Sequence, residues 1–225
     1  MQLTIDVGSH GQTTGLVYAS RGATMDATFI LGHGAGAGQQ SSFITDFAQG
    51  LSDRGIDVLT FNFLYTEQRR RIPDRAPALE ACYQAIIHAV RERVAGKSEA
   101  LFIGGKSMGG RIATQVAAAD PQLAVDGLVL LGYPLHPPGK PDQLRDKHLP
   151  QVGRPMLFVQ GSRDAFGTPA ELEPIVGRLA PPAVLKVIAG GDHSFKVPGR
   201  NTEVQSDVYA GIQRQIVAWM RAVGD

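Results

Sequence analysis

The chain has 225 residues, 43% apolar and 19% charged, with a formal net charge of +1. That is the balance of a folded globular protein, and it provides no global attraction toward nucleic acid or an anionic membrane. A single cysteine, Cys82, excludes an internal disulfide and a cysteine-based zinc site.

Residues 1–7 lack the basic start and long apolar run of a secretion signal, and no apolar stretch approaches the ~20 residues that span a bilayer. These features predict a soluble, cytoplasmic protein. Segments 3–7 and 14–19 read as strands joined through a turn at Gly8 and Gly11. Segment 27–32 is a buried strand that runs into the glycine-rich loop 33–38. A helix follows, capped by Ser41 or Ser42, reaching Arg54 and stopped by Gly55; segment 56–63 is the next strand. Asp74 and Pro77 open a second helix whose apolar face is Leu79, Cys82, Tyr83, Ile86, Val90 and Val94, with Gly96 as its end. Cys82 on that face reads as a core thiol.

Segment 100–104 reads as a strand, 108–119 as a helix of small residues, 128–132 as a strand and 137–150 as a Pro-rich charged loop. Strand 156–161, a helix near 168–179 and strand 184–189 come next. The last helix starts at Thr202, with Gln205 at capping-box spacing and Val204, Val208, Ile212, Ile216, Trp219 and Val223 as its apolar stripe. Short, continuously apolar strands alternating with helices predict an α/β fold: a doubly wound, mostly parallel sheet of seven or eight strands. The first two strands have no helix between them and predict an antiparallel edge. With no repeat, linker or low-complexity stretch, residues 1–225 read as one domain.

Gly105-Lys106-Ser107-Met108-Gly109 places G-x-S-x-G at a strand-to-helix junction. A turn that tight requires residues without side chains two before and two after the serine. Ser107 is then held, strained, at the carboxyl edge of the sheet, where ligands of such folds bind. The N–H of Met108 points toward the same spot. Gly110, Ala113 and Ala117 allow the following helix to pack closely.

Two further strands end at residues that complete this chemistry. Asp164 follows strand 156–161, and His193 follows strand 184–189, in the order acid then histidine expected after such a serine. Asp192 competes as the orienting acid, but adjacent side chains rarely face each other, so Asp164 is preferred. The loop Gly32-His33-Gly34-Ala35-Gly36 supplies a second oxyanion N–H from Ala35, with Gly36 as the alternative. Nucleotide-binding readings of the glycines fail. The strand after Gly32-x-Gly34-x-x-Ala37 lacks an acid at its tip, and position 100 is Ala where a phosphate loop ending at Gly105-Lys106-Ser107 needs Gly.

With these motifs in view, the sequence resembles the small serine α/β-hydrolases described as dienelactone-hydrolase-like. It is similar in particular to bacterial predicted hydrolases grouped with testis-expressed protein thirty and a histone-acetyltransferase complex subunit. The matching segments are LGHGAGAG (31–38), FNF (61–63), PDRAP (73–77), GGKSMGGR (104–111), GYPLHPPGKPDQLRDKHLP (132–150), GSRDAFGT (161–168) and GGDHSFKVP (190–198). The resemblance implies the α/β-hydrolase fold and a triad of Ser107, Asp164 and His193. True dienelactone hydrolases carry cysteine where this chain has Ser107, which argues against the dienelactone as substrate. Some relatives in chromatin complexes serve as structural subunits.

The expected activity is hydrolysis of a small ester-like substrate through an acyl-enzyme, with no metal or organic cofactor and no nucleic-acid or membrane partner. The alternative is a scaffold that has kept the fold without turnover. Arg71, from the cluster Arg69, Arg70, Arg71 and Arg75, is expected to grip an anionic part of the substrate, and His136 and Gly36 to line the pocket. Only the 137–150 loop separates strand 128–132 from the next strand, so no cap domain is expected.

Overall fold

Strands β1 (Gln2–Asp6) and β2 (Gln12–Tyr18) pair antiparallel, with Leu3 opposite Gly15 and Ile5 opposite Thr13. The chain between them is too short for a crossover helix, so this edge can only be a hairpin. β2 continues antiparallel against β4 (Asp57–Phe61). From there the sheet is parallel, through β3 (Ala27–Gly32), β5 (Ala100–Lys106), β6 (Gly127–Leu131), β7 (Met156–Gly161) and β8 (Val184–Ile188). The eight strands lie in the order β1-β2-β4-β3-β5-β6-β7-β8. This is a computed structural model, and it describes residues 1–21, 24–93, 100–199 and 202–224.

Every residue of β3, β6 and β7 is buried, which requires helices on both faces of the sheet. One face is covered by α1 (Ser42–Ser52) and α6 (Thr202–Gly224), whose Phe47, Leu51, Ile212 and Ile216 pack with Phe29, Leu31, Val129 and Val159. The other is covered by α3 (Ala76–Arg93), α4 (Met108–Ala119) and α5 (Pro169–Val176), whose Tyr83, Ile86, Ile112 and Leu172 pack with Ile30, Ile103, Leu130 and Phe158. Each such side chain contributes about 1.5–3 kcal/mol on burial. Cys82 is among them, and burial raises its thiol to about 12, so it is an inert core group. No helix of the described residues is long and apolar enough to cross a membrane.

Several expected boundaries shift for local reasons. β4 stops at Phe61 because the next two residues are engaged elsewhere: Asn62 Oδ1 accepts the Gln39 N–H, and the Phe63 N–H donates to His33. A one-turn helix, α2 (Leu64–Glu67), follows that was not anticipated. α1 ends at Ser52 rather than Arg54, although Gly55 has the left-handed φ of +92° expected of a helix stop. Gly96 and Val94 lie outside the described residues. The 137–150 loop runs into a short 3-10 turn at Leu149–Gln151.

The capping box expected at Thr202 and Gln205 falls in part outside the described residues, since the Thr202 side chain is not among them. The Gln205 amide donates to the Phe195 carbonyl and accepts the Val197 N–H. A capping box does occur at α5, where Thr168 and Glu171 reciprocate.

One buried hydroxyl ties these layers together beneath the elbow. Tyr83 of α3 accepts the Gly104 N–H at 2.9 Å, and its O–H faces the carbonyls of Gly104 and Ile30 at 2.6 and 3.0 Å. Tyr83→Phe removes the hydroxyl's hydrogen bonds to Gly104 and Ile30 in the core, a cost of about 1–3 kcal/mol. For a chain of this length, thermal denaturation should show a Tm lower by roughly 2–4 °C per kcal/mol lost.

Candidate active site

Ser107 lies between β5 and α4, at φ +50° and ψ −115°, a conformation that costs a residue with a side chain about 1–3 kcal/mol. The glycines around it explain how the chain reaches this geometry. Gly105 pairs with Gly32 in the sheet at φ +152°, and a Cβ there would collide with the Gly32 carbonyl. A Cβ on Gly109 would meet the same main chain and the His33 carbonyl at 2.8 Å. The elbow and the loop after β3 are therefore packed backbone against backbone.

That loop is held by His33, which is fully buried. Burial drives its imidazole down to about 4, against the raising effect of its bond to the Gly34 carbonyl. The ring is thus neutral. Nε2 accepts the Phe63 N–H at 3.1 Å, so Nδ1 carries the proton and donates it to the Gly34 carbonyl at 2.8 Å. Ala35 and Ser107 both line a cleft of about 310 Å³, together with Gly34, Ser42, Phe43, Lys106, Phe166 and His193.

His193 bridges the acid and the serine. Its Nδ1 lies 2.7 Å from Asp164 Oδ2, and its Nε2 lies 2.8 Å from Ser107 Oγ. With Asp164 ionised, Nδ1 is the donor and Nε2 is free to accept the serine proton. Asp164 is 1% exposed. Its carboxylate also accepts the Phe166 N–H and the Gln160 amide, both at 2.8 Å, so it is a fully satisfied buried anion. Phe166 stacks on the His193 ring, centroids 4.2 Å apart.

Asp192, the competing acid, is used otherwise. Its Oδ1 accepts the N–H groups of Ser194 and Lys196 and closes the turn that carries His193. Tyr209 and Gln205 of α6 hold the Ser194 and Phe195 carbonyls of that turn.

Three expected substrate contacts are not brought to this cleft. His136 is buried, with Nδ1 at 2.9 Å from the Pro137 carbonyl and Nε2 at 3.2 Å from Glu171, because the chain after β6 folds back toward α5. Arg71 and Gly36 line a different hollow of about 390 Å³, with Tyr65, Thr66, Arg69 and Arg70. Ala37 borders both hollows. Arg70 is paired with Asp74 at 2.6 Å.

Two residues of the site were missed by sequence reasoning. Gln160, fully buried, donates to Asp164 and to the carbonyls of Tyr133 and Gly167, and accepts the Tyr133 N–H. A polar residue within the apolar run of β7 was the available signal. Lys106, noted as a flank of the elbow, turns out to be 7% exposed on the cleft wall. Among the described residues no cluster of His, Cys, Asp or Glu is placed to hold a metal ion.

Solved structures with the same fold include an alpha-beta serine hydrolase homologue from Coxiella burnetii, at TM-score 0.76 and 19% identity, covering 96% of each chain. A serine hydrolase without lid from Xanthomonas campestris matches at TM-score 0.71 and 21% identity, covering 96% of this chain and 94% of that one. A dienelactone hydrolase from Anabaena variabilis matches at TM-score 0.75 and 20% identity, covering 99% and 97%. The sheet, with no cap inserted among the described residues, is that of the α/β-hydrolase fold. The family model of the alpha/beta hydrolase domain matches residues 25–221, and the chain belongs to that family.

Proposed function

We propose that this chain is a serine hydrolase of small ester-like substrates, formed as one domain over residues 1–225, with Ser107 as nucleophile, His193 as general base and Asp164 as the acid that orients it. The observation that carries this reading is the His193 imidazole, hydrogen-bonded at once to Asp164 and to Ser107. In the first half-reaction Ser107 Oγ bonds to the acyl carbon while His193 Nε2 takes the serine proton. The bond to the alcohol then breaks, and His193 returns that proton to the leaving oxygen. Water adds to the acyl-enzyme with His193 again as base, releasing the acid and restoring the serine.

The amides of Met108 and Ala35 are the proposed oxyanion donors, each contributing about 3 kcal/mol to the transition state. No other group of the described residues takes either amide. The scaffold alternative leaves the strained φ of +50° at Ser107 without a purpose. The motifs shared with the bacterial hydrolases grouped with testis-expressed protein thirty support the same reading.

Treatment with a fluorophosphonate should add one adduct to the intact mass of the wild type and none to Ser107→Ala. A folded wild type that takes no adduct would overturn the assignment. Gln160→Met removes a donor to Asp164 and to the turn after it. It is expected to slow labelling and ester turnover by about tenfold through kcat, with KM little changed. Asp164→Asn, which permits the wrong imidazole tautomer, should cost considerably more, about 10⁴-fold in kcat.

A further inference from the structure

The cleft contains a buried cation that the chemistry just described does not use. Lys106 precedes the serine, and its side chain runs past Gly34 and lies near the Phe43 ring, with Nζ 5.6 Å from the ring centroid. Its Nζ donates one hydrogen bond, to the His193 carbonyl at 2.5 Å. An ammonium has three donors, and among the described residues the other two have no hydrogen-bond partner. A buried charge with two open donors is costly unless something supplies acceptors.

The rest of the wall has the same sign. The N-terminus of α1 contributes Ser41, Ser42, Phe43 and Ile44. Ser41 makes no side-chain capping bond there, and the first turn contains no acidic residue. Its free amides carry partial positive charge into the cleft. Among the described residues no carboxylate lines the cleft.

Resting on the serine hydrolase reading, we propose that Lys106 is a specificity-determining residue, and that the cleft selects esters carrying a carboxylate, held by the Lys106 ammonium together with the α1 N-terminus. One ammonium and one helix end match a single negative charge in a cavity sized for a small acyl group.

Burial lowers the Lys106 ammonium to about 8, and the charges of Asp164 and Asp192 oppose that drop. Among the described residues these two carboxylates, from the loops after β7 and β8, are the charged groups facing it, beside the His193 backbone. The α1 residues on the wall are uncharged. Lys106 is therefore cationic at neutral pH and loses its charge as the pH rises through about 8.

The test compares kcat/KM for monoethyl succinate with that for ethyl pentanoate, followed by proton release. Taking the ratio cancels effects on His193 and on the fold. In the wild type at pH 7 the ratio should favour the anionic ester by about tenfold or more, and it should fall as the pH is raised from 7 to 9. Lys106→Met should abolish the preference, and Lys106→Arg should retain part of it. A wild-type ratio near one, or a ratio unchanged in Lys106→Met, would overturn the inference while leaving the hydrolase reading intact. Hydrolysis of neither ester, together with no fluorophosphonate adduct, would mean that the hydrolase reading itself had failed. The wild-type pH series decides the matter even if neither variant folds.

Discussion

The site depends on the contact between the main chain at Gly32 and the glycines of the elbow. β3 and β5 are neighbours in the sheet with Gly32 opposite Gly105, and α4 starts so close that Gly109 also lies against Gly32 and His33. Backbones at that separation leave no volume for a Cβ on Gly105 or Gly109, and only a tight fit for one on Gly32. This close approach brings the loop after β3 and the serine that precedes α4 to the same cleft, although they come from distant parts of the sequence. The strain at Ser107 is offset by the burial of the strands on either side and by the Tyr83 hydroxyl that fixes Gly104 beneath it.

Around this contact, the polar groups are held largely by main-chain partners. His33 is pinned by the Gly34 carbonyl and the Phe63 amide, Asp164 by the Phe166 amide, and Asp192 by two amides of its own turn. Such partners are fixed by the fold and cost no side-chain entropy when the site forms. They also separate the two aspartates by role. Asp164 offers Oδ2 to both Gln160 and the His193 imidazole, whereas Asp192 is used in building the turn that presents that imidazole.

Strand periodicity, the G-x-S-x-G turn and the order Asp164 then His193 made most of this architecture legible before any coordinates. The alternating pattern from residue 27 onward led to the doubly wound sheet, and the missing helix between the first two strands led to the antiparallel edge. What could not be read depended on direction rather than identity. His136 follows a strand on the carboxyl edge as His193 does, yet it turns toward Glu171, and only the packing of the chain after β6 decides that. Gly36 belongs to the loop after β3 that borders the cleft, but it lines, with Arg71, the separate hollow on the far side of that loop. Gln160 was hidden because one polar residue within a buried run contributes no periodicity of its own.

The path of the chain between β6 and β7 determines how the cleft can discriminate. Tyr133 and Leu135 are buried beside Gln160 and α5, and the Tyr133 hydroxyl and the Leu135 carbonyl both bond back to the main chain of Arg145. The segment is thereby folded against the body of the protein on the Asp164 side and does not extend across Ser107. An unroofed cleft of about 310 Å³ offers little apolar wall to measure a long acyl chain, and each added methylene would be worth only about 0.8 kcal/mol even if fully buried. Charge is the stronger discriminator in such a space. A partly desolvated ammonium on one wall acts in a lower effective dielectric than bulk water, so one correctly placed carboxylate outweighs several methylenes.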